Sequence, residues 1–569
     1  MELSDRAIDR VIHPTAAFPS VVTTPSVQEE PDSWLNSPLN PKNRIDSLDV
    51  LEKPLWRIDG CTAFGTQFYA VPVYMAPLAP LRVDLFIPSH SDVPKHLRGV
   101  LDLDVAFHTR SAKRIAHLGI TRHLLRLLQS WTIQGSFSAQ QYARLSWGTR
   151  IVLDKLSTRV EDCGLRVSRQ HQVEMQLLSL ESLRHKWPDV TFPPTLNIHE
   201  LEYVSQIHDS VSLVRYGGQS WIFKAITSHT RFMYHELRNL LTVPPHQNII
   251  SRPVHLVTKP CGFGGKTGVL GFMLEYHSRG SVRDLIPFYR LHNLTTLADE
   301  VKWSYQLASA LLHLRETSDI FYPDLRLDNI VLTDSGDVVM VDFEQRGVWC
   351  EFAAPEVNAI DYMRLVATSK DISEENKARY ANILGGLLPN WEDKEKNVTY
   401  SMTANGYNTP WSCLTAKEQE ACEVYMLGRV LWCIFEAQSA PQKAAVWVSY
   451  LWEPAHEFPL YTRTPKPMRD LINNCTKGRK VGLSHLIVRE KDKLVLSGLD
   501  TTIESTPQQV QDEAQAWWLN ELDLSERWIE RRSEGLQNGT WNQNYYNRPT
   551  LAEVRNTIRA FAVEIGLAV

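Results

Sequence analysis

The fold is decided by one stretch, Phe321-Tyr322-Pro323-Asp324-Leu325-Arg326-Leu327-Asp328-Asn329-Ile330-Val331-Leu332. Asp324 is followed five positions later by Asn329 and then by an apolar run typical of a buried strand. A second apolar run ends directly before Asp342, and the polar residues 334–337 between the two runs predict the turn of a hairpin. A single Asp-x4-Asn pattern is common by chance, but this ordered pair with apolar strands on both sides is specific.

A lysine and a glutamate upstream complete a set suited to phosphoryl transfer. Lys224 lies in residues 220–226, which follow Gly217-Gly218 and predict a strand. Glu236 follows twelve residues later in a helical run, and it is the natural ion-pair partner of Lys224. Phosphoryl transfer requires mainly position and charge: a lysine on the phosphates, an acid that orients it, metal ligands, and a carboxylate near the incoming hydroxyl.

The order of these motifs resembles the protein-kinase superfamily over about two thirds of the chain, and it looks closest to uncharacterised kinase-like proteins of filamentous fungi. The resemblance implies that ATP and magnesium are bound. Lys224 would hold the phosphates, and Glu236 would orient Lys224. Asp324 would accept or align the proton of the substrate hydroxyl, while Asn329 and Asp342 would bind magnesium.

Further segments extend the resemblance to the nucleotide and the acceptor. Residues 271–281 resemble the hinge strand, so Leu274 would be the gatekeeper, and the backbone of Glu275 and His277 would face the adenine. Val211, at the end of the predicted phosphate-covering segment 204–211, would contact the nucleotide. Arg326, where Ser/Thr kinases usually have lysine, suggests a Ser/Thr-type acceptor.

Three structural motifs separate the chain from small-molecule kinases of the aminoglycoside and choline type. Ala354-Pro355-Glu356 resembles the motif that closes the activation segment, and residues 423–432 resemble the helix written D-x-W-x-x-G. Asn547-Arg548-Pro549-Thr550 matches the late R-P-T motif, which implies an ion pair between Arg548 and Glu356.

The chain also departs from the family pattern. Segment 204–211 contains no glycine, and Asp209 within it would repel phosphate. Tyr322-Pro323 replaces His-Arg, which removes the receptor for a phosphorylated activation loop. Glu344 replaces a glycine, and it would be either an extra metal ligand or the ion-pair partner of Arg346. Segment 342–356 is short and contains no Ser, Thr or Tyr, so it offers no phosphorylation site and a reduced peptide platform.

These observations leave three functions open. The leading hypothesis is an ATP- and magnesium-dependent protein-kinase-like phosphotransferase of Ser/Thr type, acting on an unknown protein or small-molecule acceptor. The missing glycines and the lost His-Arg favour a pseudokinase that acts as a nucleotide-binding scaffold. Glu344 and the short activation segment favour a small-molecule kinase on a protein-kinase frame.

The predicted fold class is α+β, with a bilobal protein-kinase-like fold and an additional N-terminal α+β domain. Residues 1–50 would be a flexible tail and 51–195 an accessory α+β domain, in which a helix would begin at an N-cap on Ser111. Residues 196–569 would be the kinase-like domain, divided into an N-lobe (196–276) and a C-lobe (277–569) with insertions near 357–420 and 478–540.

Composition bounds the remaining properties. The net charge of −5 gives no argument for nucleic acid as a partner, and we expect none. The eight cysteines are scattered without a C-x-x-C pair, as is typical of reduced thiols in an intracellular protein. The sequence has no run of about 18 apolar residues, so we expect no membrane span. No secretory signal is visible at the first residues. We therefore expect a cytoplasmic or nuclear protein.

Overall fold

The computed structural model describes residues 11–18, 50–62, 66–75, 77–88, 93, 95–103, 115–135, 137–168, 171–225, 229–262, 264–347, 350–397, 399–403, 406–441, 456–490, 493–498 and 505–567. These residues form a mixed α+β protein with a five-stranded sheet, a six-stranded sheet and two hairpins. None of the described helices combines the length and the apolar character needed to cross a lipid bilayer.

The five-stranded sheet is built by residues that precede position 170. Its strands, in spatial order, are β1 (Trp56–Thr62), β2 (Gln67–Pro72), β3 (Asp84–Phe86), β4 (Arg150–Leu153) and β5 (Leu165–Ser168). Only β3 and β4 are parallel neighbours among these strands. The helices of this region are α1 (Lys95–Val100), α2 (Gly119–Ile133), α3 (Ala139–Ala143), α4 (His171–Gln176) and α5 (Leu180–Lys186). Helix α2 is buried at Leu124 and Leu128, and Ser111, the predicted N-cap of a helix in this region, lies outside the described residues.

The six-stranded sheet carries Lys224. Its strands are β6 (Thr195–Asn197), β7 (Glu202–His208), β8 (Val211–Tyr216), β9 (Gln219–Ala225), β10 (His255–Pro260) and β11 (Thr267–Glu275). Their spatial order is β6-β10-β11-β9-β8-β7, with β6 parallel to β10 and the other neighbours antiparallel. Helix α6 (Thr230–Thr242) follows β9.

Glycines shape this sheet at two places. Gly217 and Gly218 both have positive φ, 58° and 78°, which is the geometry of the tight turn between β8 and β9. Gly271 on β11 faces β9 so closely that a Cβ there would lie 2.2 Å from the Lys224 carbonyl oxygen. The absence of a side chain at Gly271 therefore permits β9 to approach β11 where it carries Lys224.

The rest of the chain is mainly helical. Its helices are α7 (Val282–Leu291), α8 (Leu297–Thr317), α9 (Pro355–Thr368), α10 (Glu374–Leu387), α11 (Trp391–Lys396), α12 (Thr409–Ser412), α13 (Ala416–Glu436), α14 (Lys466–Cys475), α15 (Pro507–Gln537) and α16 (Leu551–Glu564). The two hairpins are β12 (Ile330–Leu332) with β13 (Val338–Met340), and β14 (Ile487–Glu490) with β15 (Lys493–Leu496). The sequence predicts both hairpins. Helix α13 is buried along most of its length, which makes it the centre of the helical part.

The described residues 11–18 lie within the segment 1–50 that the sequence assigns to a flexible tail. A short 3-10 helix at Pro14–Ala17 packs on the protein, and Val11 is buried among Ile487, Leu494 and Val510. The indole Nε1 of Trp518 on α15 donates to the Val11 carbonyl at 3.0 Å. An apolar contact at Val11 thus holds a segment that its composition assigns to a tail, and Trp518 is buried inside the protein. Residues 19–49 lie outside the described part of the chain.

Candidate active site

The predicted ion pair between Lys224 and Glu236 is present and buried. Lys224 lies in the buried C-terminal half of β9. Its Nζ is 2.9 Å from Glu236 Oε1 and 2.7 Å from Oε2. Glu236 lies on α6, with 1% of its surface exposed. The backbone N–H of Phe343 also donates to Glu236 Oε1, at 2.9 Å, so the same carboxylate orients the lysine and ties down the next segment.

Lys224 also contacts Asp342, which is 118 residues away in sequence. The Nζ–Oδ1 distance is 2.7 Å. Asp342 has φ of 68°, a left-handed conformation that is uncommon for a residue with a side chain. It directly follows β13 and Val341, whose N–H donates to the Asn329 carbonyl at 3.0 Å. The hairpin β12–β13 therefore fixes Asp342 and Asn329 relative to one another.

Glu344 is the third carboxylate at the amine, 3.3 Å from Lys224 Nζ. The alternative partner, Arg346, lies instead over the Phe232 ring at 5.0 Å from its centroid. Carboxylate oxygens of Glu236, Asp342 and Glu344 all lie within 4.8 Å of one another. We call Lys224 and these three acidic residues the Lys224 cluster. With three acids around one ammonium group, the cluster has an excess of negative charge.

The pKa shifts follow from that charge arrangement. Burial acts to lower the pKa of Lys224, but the three carboxylates raise it well above its ordinary value, so the amine stays charged. Burial raises the pKa of Glu236 to about 8 against the opposing attraction of Lys224, and the charges of Asp342 and Glu344 raise it further. For Asp342, burial is outweighed by Lys224, and the pKa is lowered.

Asp324 and Asn329 lie in contact with each other, in the loop between α8 and β12. The Asn329 amide nitrogen donates to the Asp324 carbonyl at 2.9 Å and to its Oδ2 at 3.1 Å. Arg326 Nε donates to the same Oδ2 at 3.1 Å. Burial raises the pKa of Asp324 to about 6, against the attraction of Arg326 and with a smaller contribution from the charge of Asp342. The carboxylate is thus ionised near neutral pH and close to its titration range, as suits a group that accepts a proton.

Tyr322 braces this loop through its hydroxyl, its ring and its backbone N–H. Its hydroxyl donates to the Val341 carbonyl, and its ring packs edge-on against Phe343 at 5.1 Å. The Tyr322 N–H donates to Glu423 Oε1 at 2.8 Å, and Arg315 pairs with the other carboxylate oxygen. Glu423, on α13, therefore supports the loop through its hydrogen bond with the Tyr322 N–H.

The edge at the end of β11 offers the groups predicted to face an adenine. Leu274 is buried and pairs with Ile222, and Glu275 ends the strand opposite Trp221. The His277 carbonyl accepts from Gly280 N–H at 3.2 Å. Within the described part of the chain, neither the His277 N–H nor its buried ring Nε2 has a hydrogen-bond partner. An unpaired buried donor or acceptor at this edge fits a ligand that brings its own polar groups.

The segment 204–211, predicted to cover the phosphates, comprises most of β7 and the tight connection to β8. Val211 opens β8 and is paired with Lys224, so it lies beside the lysine. The turn itself is formed by Asp209 and Ser210, and the Ser210 carbonyl accepts from Ala225 N–H at 2.9 Å. Asp209 does not face the site as an uncompensated charge, because Arg82 pairs with its carboxylate.

The predicted structural ion pair between Glu356 and Arg548 is also present. Arg548 NH1 and NH2 donate to the two oxygens of Glu356 at 2.9 and 3.0 Å. Both side chains are buried, and the arginine additionally donates to the Ala421 carbonyl at 3.0 Å. A forked pair of this kind joins α9, α13 and the start of α16.

Several residues that hold the site have no motif that could have predicted them. His235 Nε2 is 2.6 Å from Gln345 Oε1, and Arg231 donates to two carbonyl groups at the end of α11. The Tyr234 hydroxyl donates to Val269 at 2.8 Å. Helix α6 is buried on nearly all faces by these contacts, so Glu236 is held rigidly. The contact of Arg82 with the site has one indication in the sequence. Asp209 carries a negative charge in the segment predicted to lie near phosphate, and such a charge requires a cationic partner.

Comparison with known proteins adds no further assignment. No protein-family model matches the chain, and no curated protein gives a significant match. The kinase-like family therefore stays a prediction that rests on the motifs and the contacts of this chain.

Proposed function

We propose that the protein is an ATP- and magnesium-dependent phosphotransferase with a bilobal protein-kinase-like domain. One observation carries the proposal. The Lys224 amine contacts Glu236 at 2.7 Å and Asp342 at 2.7 Å, although the three residues come from separate segments of the chain. In a phosphotransferase these contacts position a cation for phosphate oxygens and orient a metal-binding acid.

The bilobal arrangement is supported by the source of these three residues. Lys224 and Glu236 belong to the six-stranded sheet and its helix, whereas Asp342 and Asn329 belong to the hairpin on the helical part. The two parts meet at Lys224. In this proposal, the nucleotide binds between them, with its adenine at the Leu274–His277 edge.

The donor atoms on the helical side fit magnesium. Among the described residues, no hydrogen bond reaches Asn329 Oδ1 or Asp342 Oδ2, while the other polar atoms of these two side chains are engaged. Free carboxylate and amide oxygens are the ligands that this hard cation prefers. When bound, magnesium would supply positive charge to the transferring phosphate.

The chain's own groups perform the remaining work. Asp324 would accept or align the proton of the acceptor hydroxyl, and Asn329 and Arg326 hold that carboxylate in place through its Oδ2. Lys224 would neutralise phosphate oxygens. Arg326 lies beside Asp324 and would contact the phosphate or acceptor of a Ser/Thr-type reaction.

The test combines binding and turnover. Mg-ATP should raise the unfolding temperature of the wild type in a concentration-dependent way, because a ligand of the folded state stabilises it. The wild type should also consume ATP in the presence of peptide arrays or metabolite pools, and Asp324→Ala should abolish consumption while retaining the thermal shift. Absence of any thermal shift at millimolar Mg-ATP would contradict the proposal.

A nucleotide-binding scaffold is the second candidate. The observation that favours it is the saturation of Lys224 by three carboxylates, one of which, Glu344, replaces the usual glycine. An amine engaged in this way has fewer free donors for phosphate. Binding of Mg-ATP without Asp324-dependent consumption would favour the scaffold, and label transfer to a metabolite but to no peptide would favour a small-molecule kinase.

A further inference from the structure

The turn between β7 and β8 is held within its own sheet and also by the N-terminal region. Within its own sheet, the Ala225 N–H donates to the Ser210 carbonyl at 2.9 Å and Gln206 Nε2 donates to the Asp209 carbonyl at 3.3 Å. The Arg82 guanidinium donates through NH1 to the Asp209 carbonyl and through NH2 to the Asp209 carboxylate. Its Nε donates to Asp84 Oδ2 at 2.7 Å. One buried arginine, 8% exposed, thus connects the start of β3 to both polar groups of the turn residue.

Two more side chains of the same sheet fasten β7. Asp59 Oδ2 on β1 accepts from the Tyr203 hydroxyl at 2.6 Å and from the Gln206 N–H at 2.8 Å. Arg57 NH2 donates to the Val204 carbonyl at 2.7 Å. Strand β7 is the edge of the six-stranded sheet, and a free edge strand is ordinarily the most mobile part of a sheet.

A glycine-free turn has a specific need for such support. Glycine-rich loops bind phosphate because their backbone N–H groups can come close to it. Side chains prevent that approach here, so the turn must be positioned from outside and its acidic charge must be cancelled. Arg82 meets both needs, because it holds the Asp209 carbonyl and neutralises the Asp209 carboxylate.

We propose that the five-stranded N-terminal sheet is part of the nucleotide site, and that Arg82 is the positioning residue that holds the Asp209-Ser210 turn over the phosphates. This inference rests on the proposed function, since it assumes that phosphate binds beside Lys224. It assigns a role to the accessory region, which contains no catalytic motif of its own.

The decisive variant is Arg82→Lys. Lysine keeps the positive charge, so Asp84 and Asp209 still face a cation, but it cannot reproduce the planar fork that bonds three groups at once. The measurements are hydrogen exchange of the 204–212 peptide without nucleotide, and the dissociation constant of Mg-ATP by calorimetry. We expect both the exchange rate and the dissociation constant to rise about tenfold, the factor that corresponds to one lost charged hydrogen bond.

Two further variants complete the design. Arg215→Lys is the matched control, because its pair with Glu202 joins the same strands β7 and β8 but is exposed, with an N–O distance of 3.0 Å. It should leave both measurements within about twofold of the wild type. Arg82→Gln combined with Asp84→Asn removes the clamp and its charge without leaving Asp84 as a buried unpaired carboxylate, and it should weaken Mg-ATP at least as much as Arg82→Lys.

The outcomes separate the two proposals. If Arg82→Lys keeps the wild-type dissociation constant for Mg-ATP and the wild-type exchange rate of the 204–212 peptide, the positioning role is overturned. This holds even if the double variant binds Mg-ATP weakly, because Arg82 would then act by charge alone. Failure of the wild type to bind Mg-ATP would overturn the proposed function and the nucleotide role of Arg82 with it. Faster exchange in Arg82→Lys would in that case mark a purely structural contact.

Discussion

The two sides of Lys224 are held in different ways. On one side, Glu236 and Asp342 are buried or half-buried, and each is fixed by its own helix or hairpin. On the other side, the Asp209-Ser210 turn is an edge connection that is held in addition by Arg82, a residue that precedes β3 of the five-stranded sheet. The first side is self-supporting, and the second is held by a region outside the predicted kinase-like domain.

This difference separates two kinds of information in a sequence. The residues of the self-supporting side can be predicted from ordered motifs, because each acid lies at a characteristic position in a helix or hairpin that the sequence pattern indicates. The turn depends on a contact between residues 127 positions apart, and no local pattern encodes it. The accessory region therefore matters for the site in a way that motifs alone do not indicate.

The largest effect is expected from Lys224→Met, which removes the cation from the self-supporting side. Three carboxylates would remain together in a buried setting without their counter-charge. We expect a loss of about 3–5 kcal/mol in the free energy of unfolding, the usual consequence of breaking a buried ion pair. Urea unfolding followed by tryptophan fluorescence measures it.

Lys302→Met is the control for that experiment. Lys302 also pairs with an acid, Asp337, at 2.7 Å, but both side chains are more than 30% exposed. Its loss should cost less than about 1 kcal/mol. Equal losses for the two variants would mean that Lys224 is not the centre of a rigid cluster, and the contrast between the two sides would disappear.

Asp324→Asn tests the chemical role of the self-supporting side. Asparagine keeps the shape and can still accept from Asn329 or Arg326, but it cannot take up a proton. We expect turnover to fall by about 10²–10⁴-fold, the range for loss of a positioned general base, with little change in Mg-ATP affinity. Steady-state ATP consumption measures it, with Asp334→Asn in the exposed turn of the β12–β13 hairpin as the control. A variant that consumes ATP at the wild-type rate would exclude Asp324 as the proton acceptor.

The predictable part of the site can be judged residue by residue. The resemblance to protein kinases implies the pairs Lys224–Glu236 and Glu356–Arg548, and both contacts are present. For Glu344 the sequence leaves metal binding and a pair with Arg346 open. The residue contacts Lys224 and Arg346 lies over the Phe232 ring, while metal binding by Glu344 stays a prediction. The residue lies two positions after Asp342, whose left-handed backbone is not revealed by spacing along the chain.

The fold shows the same limit. Strands with clear apolar periodicity, such as β9 and those of the hairpins, are predicted close to their observed bounds, whereas the helical run predicted around Glu236 is only the second half of α6. The packing of Val11 on α15 is missed, because a short apolar pair, Val11-Ile12, before a segment rich in Pro, Ser and Thr carries no periodic signal. Contacts made by single side chains across long sequence separations, like those of Val11 and Arg82, are decided by tertiary packing.

A smaller effect is expected where β9 meets β11. Gly271→Ala would place a Cβ 2.2 Å from the Lys224 carbonyl, so the two strands must separate at the lysine. We expect a loss of about 1–3 kcal/mol in stability, typical of overpacking. Gly385→Ala on α10 is the matched control: a Cβ added there would meet no atom within 4 Å, and alanine favours a helix. It should stabilise by about 0.5–1 kcal/mol, so the two substitutions should have opposite signs in chemical unfolding.

A pH-dependent effect concerns the proton on Asp324. Burial raises its pKa in the folded protein to about 6, above the value of 3.8 for an unperturbed aspartate. The folded state therefore holds this proton more tightly than the unfolded state, and the resulting stabilisation is complete below about pH 4 and lost as the pH rises through about 6.

Asp324→Asn has no such proton. The stability of the wild type minus that of Asp324→Asn should thus increase as the pH falls from 7 to 4, with a slope below about 1.4 kcal/mol per pH unit. Because both proteins share every other titrating group, the difference isolates Asp324. A flat difference across this range would mean that the carboxylate is solvated like an ordinary surface aspartate, and the self-supporting side would then be more open than its buried contacts indicate.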